Sequence, residues 1–218
     1  MKFKRATYWE KEKKEYGKAV EATIEFIRKS KITTIVHPGI SASPFAFMIR
    51  EKWKQLHPNY EKNPPPKFYV LGELHKKFDL RNEKYYDSAK EYLGKRWPGL
   101  LHRINEPILF LDDFMASGKT FSKIKGFFVS IGAKDMKSAV FSLNPSLLSP
   151  ASDFYWRKGP EPAFRVIRDS HYRKTIYSKK LKMTNLNEYR KTRKESLRYG
   201  ATFRKELRKA IGIKRKIK

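Results

Sequence analysis

The sequence predicts an α/β fold, a parallel sheet flanked by helices, with a basic helical extension at the C-terminal end. Three observations carry this expectation. Short β-branched or apolar segments alternate with longer segments of helical period between Tyr8 and Leu143. One of the short segments, Pro107 to Asp112 (PILFLD), is a nearly unbroken apolar run, the kind buried on both faces when helices cover a parallel sheet. The charge is also lopsided: 50 Lys and Arg stand against 22 Asp and Glu for a net +28, and residues 171–218 supply +15 of it through 18 Lys and Arg and 3 acids.

The elements follow in order. Tyr8 to Ser30 places Tyr16, Val20, Ile24 and Ile27 at a spacing near 3.6, which lays one apolar stripe along a helix. Lys31 to His37 (KITTIVH) is β-branched and short, and His37-Pro38-Gly39 stops it. Ser43-Pro44 opens a second helix whose apolar side reads Phe45, Met48, Ile49, Trp53 and Leu56. Asn63 to Pro66 (NPPP) is a rigid break, because proline lacks a backbone donor; Lys67 to Leu74 (KFYVLGEL) after it has strand character. Arg81 to Leu93 suits a helix that Gly94 to Gly99 breaks. After the Pro107 to Asp112 strand, Thr120 to Ile131 suits a helix ended by Gly132, and Lys137 to Leu143 (KSAVFSL) a fourth strand. Phe164 to Arg168 is a candidate edge strand. Leu186, Tyr189, Leu197, Phe203, Leu207 and Ile211 give the last region a broken helical period that frays from Ile213.

Composition narrows the function classes. No apolar run approaches the ~20 residues of a membrane-spanning helix, and Met1 to Glu10 lacks the apolar stretch of a secretory signal, so a cytoplasmic protein is expected, with no membrane partner. With no cysteine in 218 residues, disulfides and thiolate metal sites are excluded. His37, His57, His75, His102 and His171 show no metal-ligand spacing, and no Ser, His and Asp pattern marks a nucleophile. A net charge of +28 concentrates polyanions, whether nucleic acids or small phosphorylated metabolites.

Ile108 to Thr120 (ILFLDDFMASGKT) carries the chemistry. In an open parallel sheet, ligands bind beyond the carboxyl ends of the strands, which is where Asp112 to Thr120 falls if Ile108 to Leu111 is a strand. Ala116-Ser117-Gly118-Lys119-Thr120 offers small residues that let backbone N–H groups approach an anion, two hydroxyls, and a helix start whose dipole favours negative charge. Asp112 and Asp113 would repel a phosphate directly, so they suit sugar hydroxyls or a metal nearby. A phosphate and a diol together describe a ribose phosphate. The nucleotide-binding P-loop fits less well, since its pattern needs a glycine where Asp113 stands.

Four hydrophobic residues, two acids, two mostly apolar residues, a small residue, Ser-Gly, one further residue and Thr: this order resembles the 5-phosphoribosyl 1-diphosphate signature of type I phosphoribosyltransferases. The layout of elements from Lys31 to about Leu143 is similar to the family's too. The resemblance implies a phosphoribosyltransferase-like α/β domain over 1–170, with 171–218 as a basic, helical extension. It implies that Asp112 and Asp113 take the ribose hydroxyls and that Ala116, Ser117, Gly118, Lys119 and Thr120 take the 5-phosphate. It also implies a diphosphate loop after the first strand at Gly39, Ile40, Ser41, Ala42 and Ser43, and a hood loop near His75 to Arg81. On that loop Lys76, Lys77 and Arg81 are the candidates for neutralising diphosphate. Magnesium would arrive with the substrate, with no ligand from the protein directly. The implied reaction transfers a phosphoribosyl group between 5-phosphoribosyl 1-diphosphate and a nitrogenous base.

Two positions depart from the 6-oxopurine members of the family. Ala116 stands where those carry an acid, and Phe141 to Asn144 holds no base-recognising lysine. An alternative function uses the tail: Lys and Arg interleaved with Tyr172, Tyr177, Tyr189, Tyr199 and Phe203 suit phosphate contact and base stacking. A protein of the same fold that binds RNA or DNA through 171–218 without turnover is therefore the second expectation. A homodimer is a further partner expectation under either function.

Overall fold

The computed structural model describes residues 2–39, 42–59, 63–72, 74–147, 152–160, 162 and 201–213. They divide into two compact units, Ala19–Glu161 and a second formed by Met1–Lys18 with Pro162–Lys218.

The larger unit is built on five parallel strands, β1 (Thr34–His37), β2 (Lys67–Val70), β3 (Ile108–Met115), β4 (Met136–Leu143) and β5 (Phe154–Lys158), in the order β2-β1-β3-β4-β5. Helix α1 (Lys2–Lys29) precedes β1, and α2 (Ser43–Leu56) joins β1 to β2. Three short or medium helices, α3 (Leu74–Lys77), α4 (Tyr86–Arg96) and α5 (Pro98–Leu101), lead from β2 to β3. Helix α6 (Lys119–Ser130) connects β3 to β4. The central strands β1, β3 and β4 are almost wholly buried, as apolar runs between two helical layers must be.

Alternation along each strand separates two cores. On one face Val36, Ile108, Phe110 and Val140 pack with Leu93 of α4 and with Ile124, Phe127 and Phe128 of α6. Each fully buried aromatic of that kind stabilises the fold by about 1.5–3 kcal/mol. On the other face Phe45 of α2 meets Phe141 of β4 edge-on at 5.7 Å, and Phe26 of α1 stacks on Phe154 of β5 at 5.1 Å.

Several boundaries differ from the sequence reading for identifiable reasons. β1 starts at Thr34 rather than Lys31, because Lys31 takes a left-handed conformation and the Ile32 N–H donates back to Ile27 O at 3.0 Å. Those residues close α1 instead of extending the strand. β2 ends at Val70, where Gly72 (φ 64°) turns the chain into α3. Gly94 does not end its helix: α4 runs on to Arg96 and stops at Trp97, the residue before Pro98, whose ring excludes the α conformation there. Leu56, read as part of the buried stripe of α2, is 44% exposed at the last turn. β5 was not expected at Phe154–Lys158, and the strand proposed at Phe164 to Arg168 lies outside the described residues.

In the smaller unit a helix, α7, covers residues 201–210. Leu207 of that helix, Ile211 just after it and Tyr16 of α1 are buried. The Tyr16 hydroxyl donates to the Glu12 carboxylate, and Lys13 Nζ lies 3.4 Å from Glu206. Gly17 lets Ala210 O come within 3.8 Å of the place a Cβ would occupy. Leu186, Tyr189 and Leu197 lie outside the described residues. Among the described residues, no helix is long and apolar enough to cross a membrane.

Candidate functional site

The strand order contains one reversal. From β1 the chain crosses through α2 to β2 on one side, then returns through α3–α5 to place β3 on the other side of β1. The carboxyl ends of β1 and β3 therefore flank a topological switch point, where the connections leave in opposite directions and open a crevice. His37 at the end of β1 and the last residues of β3 with the loop after Met115 both lie at that end, since Val36 is in register with Phe110.

β3 is longer than its sequence suggested. It continues through both acids to Met115, with Asp112 opposite Val140 and Met115 opposite Leu143 on β4. The acids are thus strand residues, and the loop proper shrinks to Ala116–Gly118. Successive strand side chains leave on opposite faces, so Asp112 shares the face of Phe110, and Asp113 that of Leu111. Their surroundings differ accordingly: Asp112 is half-buried, whereas Asp113 is 1% exposed. Asp112 Oδ1 accepts the Asp113 backbone N–H at 2.9 Å, which bends that carboxylate back along the strand and holds its direction.

The loop has the features an anion requires. Ala116 and Ser117 are exposed. Gly118 takes φ 71°, a left-handed conformation that lets the chain turn from strand to helix within three residues. It is also the N-cap residue of α6 and has no side chain to cap the helix's first N–H groups. The first turn of α6 holds no acid; its leading residue is the exposed Lys119, followed by the half-buried Thr120. A helix start with no side-chain cap and no acid in its first turn favours an external anion.

The other expected site residues are placed differently. At the first-strand turn, Ile40 and Ser41 lie outside the described residues. Ala42 is fully buried. The Ser43 hydroxyl donates to Gly39 O at 2.9 Å, and His37 Nδ1 donates to the same carbonyl at 3.1 Å. Ser43 thus secures the turn from inside, as a residue in the first turn of α2, and its proton is directed at the backbone. Gly39 (φ 131°) is needed for its shape and for its neighbour: Gly72 O would lie 3.3 Å from any Cβ. Burial holds the His37 imidazole down at about 4; the hydrogen bond to Gly39 opposes this and the Arg50 charge adds to it. His37 is accordingly neutral at pH 7.

The expected hood region is a short helix, α3, followed by a turn. Lys76 and Lys77 belong to that helix. Lys77 Nζ sits 4.7 Å from the Tyr92 ring centroid, a cation–π contact. Arg81 is engaged by Asp79, Nε to Oδ1 at 2.9 Å and Nη2 to Oδ2 at 3.1 Å, which holds the Asp79 carboxyl below its usual range. Arg81 is thus held on the segment itself, and Lys77 against α4.

One residue at the crevice escaped the sequence reading. Asn144, just past β4, donates from Nδ2 to Ala116 O at 3.1 Å and from its backbone to Met115 O at 3.0 Å. The only sequence signal was an Asn-Pro-Ser turn at a strand end, which marks an Asx turn without naming its partner.

The fold is a five-stranded parallel sheet flanked by helices. A parallel sheet flanked by helices is the fold class the sequence predicted; the order β2-β1-β3-β4-β5 comes from the structure. A purine phosphoribosyltransferase from Pyrococcus horikoshii Ot3 matches at 14% identity and a TM-score of 0.40, over 66% of this chain and 83% of that one. A hypoxanthine-guanine phosphoribosyltransferase from Schistosoma mansoni, solved in complex with IMP, matches at 13% identity and a TM-score of 0.42, over 67% of this chain and 62% of that one. No family model and no curated protein matches the sequence.

Proposed function

We propose that the protein is a phosphoribosyltransferase that moves the phosphoribosyl group between 5-phosphoribosyl 1-diphosphate and a nitrogenous base. The observation that carries the reading is the position of Asp112–Thr120: an acid pair, a three-residue loop and an uncapped helix start in succession at the switch point of a parallel sheet. In this reading the backbone of Ala116–Gly118, the Ser117 and Thr120 hydroxyls and the Lys119 charge hold the 5-phosphate. Asp112, half-exposed, is the first acceptor for a ribose hydroxyl; Asp113 is the deeper one. With the phosphate and the diol fixed, the anomeric carbon is aligned as diphosphate leaves and positive charge develops, so catalysis consists mainly of positioning and charge stabilisation.

Magnesium stays with the diphosphate in this proposal. Among the described residues no group of three or more His, Asp or Glu is gathered that could hold a metal ion.

Calorimetry of the full chain with 5-phosphoribosyl 1-diphosphate and magnesium tests the reading. Asp112→Asn together with Asp113→Asn should weaken binding by at least ~1 kcal/mol, about fivefold, the scale of lost hydrogen bonds to charged acceptors. Absence of binding by the unaltered protein would refute it. A product assay across a panel of bases then identifies the acceptor.

The charge distribution favours a second reading, polyanion binding by the smaller unit. Arg204, Lys205 and Lys209 are exposed on α7, and the helix's single acid, Glu206, is engaged by both Lys13 and Lys209. RNA or DNA is the ligand class such a face suits.

A further inference from the structure

We infer that Asn144 is a positioning residue for the phosphate loop: it fixes the peptide plane between Ala116 and Ser117 and so aims the Ser117 N–H. This inference rests on the ribose-phosphate reading of that loop.

All four polar groups of Asn144 have defined partners. Its backbone N–H donates to Met115 O (3.0 Å), adding one rung beyond the last strand pair, Met115 with Leu143. Its backbone O accepts from Leu147 N (3.1 Å). Its side-chain Oδ1 accepts from Ser146 N (3.1 Å), and its Nδ2 donates to Ala116 O (3.1 Å). The two side-chain contacts determine which end of the amide is which, because only Nδ2 can donate to a carbonyl and only Oδ1 can accept from an N–H. Asn144 is therefore locked at both ends, by an Asx turn on its own side and by the phosphate loop on the other.

The consequence for the loop comes from peptide geometry. The chain has no cis peptide bond among the described residues, so the N–H of Ser117 points opposite to the C=O of Ala116. Turning that carbonyl toward Asn144 turns the next N–H away from the β4 loop. Gly118, at φ 71°, then leads directly into α6. A three-residue loop holds few internal contacts, and without the clamp this peptide plane is free to rotate and point its carbonyl, an electronegative group, toward the anion. Fixing the plane before the ligand arrives removes part of the ordering cost of binding. Aspartate has the same shape but no donor, and would set a carboxylate against Ala116 O beside the phosphate position.

The experiment uses the full chain, with ribose 5-phosphate as ligand in calorimetry and with backbone amide relaxation by NMR as a second readout. Asn144→Ala should weaken ribose 5-phosphate binding about fivefold and loosen the Ser117 and Gly118 amides, while the amides of Met136–Leu143 keep their order. Asn144→Asp should weaken it further and carries the test if the alanine variant fails to fold. Equal affinity in the unaltered and Asn144-substituted proteins would overturn the inference. If the unaltered protein does not bind ribose 5-phosphate, the ribose-phosphate reading fails, and relaxation alone judges the clamp: unchanged order at Ser117 and Gly118 in the variants overturns it, and loosening supports it.

Discussion

His37 makes the stability of this protein depend on pH in a window where most carboxylates are silent. The imidazole is 3% exposed at the end of β1, and its burial lowers it from 6.5 to about 4. Above pH 6.5 both folded and unfolded chains hold it neutral, and its contribution is fully present. As pH falls below 6.5 the unfolded chain takes up a proton that the folded chain refuses, so stability drops and levels off only near pH 4. The full shift corresponds to about 3 kcal/mol, and by pH 5 about 2 kcal/mol of it is lost. The perturbation that isolates this is His37→Asn, whose Nδ2 can replace Nδ1 as donor to Gly39 O without titrating. Urea unfolding of both proteins between about pH 7.5 and pH 5 gives the difference in stability, in which carboxylates common to both chains cancel. That difference should shift by about 2 kcal/mol in favour of the variant as pH falls. A difference that stays flat would mean His37 is protonated in the fold, and would refute the buried, neutral assignment.

Two other predictions test the frame around the site. Asp153 closes the start of β5 onto β4, its Oδ2 accepting from Ser138 N at 2.7 Å and Ser138 Oγ at 3.0 Å, and Ser138 is fully buried. Asp153→Ala leaves the Ser138 N–H without its acceptor, while Ser138 Oγ can still donate to Ser152 Oγ, and should cost about 1–3 kcal/mol in urea unfolding, with a loss under ~0.5 kcal/mol contradicting the assignment. For the basic unit, Arg204→Ala with Lys205→Ala should lower the slope of log affinity against log salt for a single-stranded RNA oligonucleotide by about 0.7 per phosphate contact removed. An unchanged slope would count against polyanion binding through α7.

Much of the larger unit was legible because its signals are local. The stripe Val20, Ile24 and Ile27, the Ser43-Pro44 helix start and the apolar run from Ile108 report burial directly, and the helices and strands appear where those patterns lie. Boundaries failed where a competing interaction outranked local preference. Gly94 weakens a helix by only about 1 kcal/mol, less than packing of Ala89 and Leu93 restores, whereas Pro98 forbids its continuation. β5 was missed although Phe154-Tyr155-Trp156 favour a strand, because the run is short, lies at the sheet edge and lacks the apolar alternation of a half-buried strand.

The candidate site divides in the same way. The sequence by itself determined which groups are available: two adjacent acids, a small loop with hydroxyls and a helix start, in an order that only a strand-to-helix turn accommodates. The tertiary structure decided how they are deployed. Extension of β3 to Met115 sets Asp112 and Asp113 on opposite faces with unequal burial, because pairing with β4 through Leu143 outlasts the apolar run. Ser43 and Gly39 are committed to one another and to His37, and Arg81 to Asp79, since a short hydrogen bond within the turn is available at little entropy cost. Asn144 acquires its role from 28 residues away in the chain, through the parallel pairing of two strands, a separation no local pattern can report.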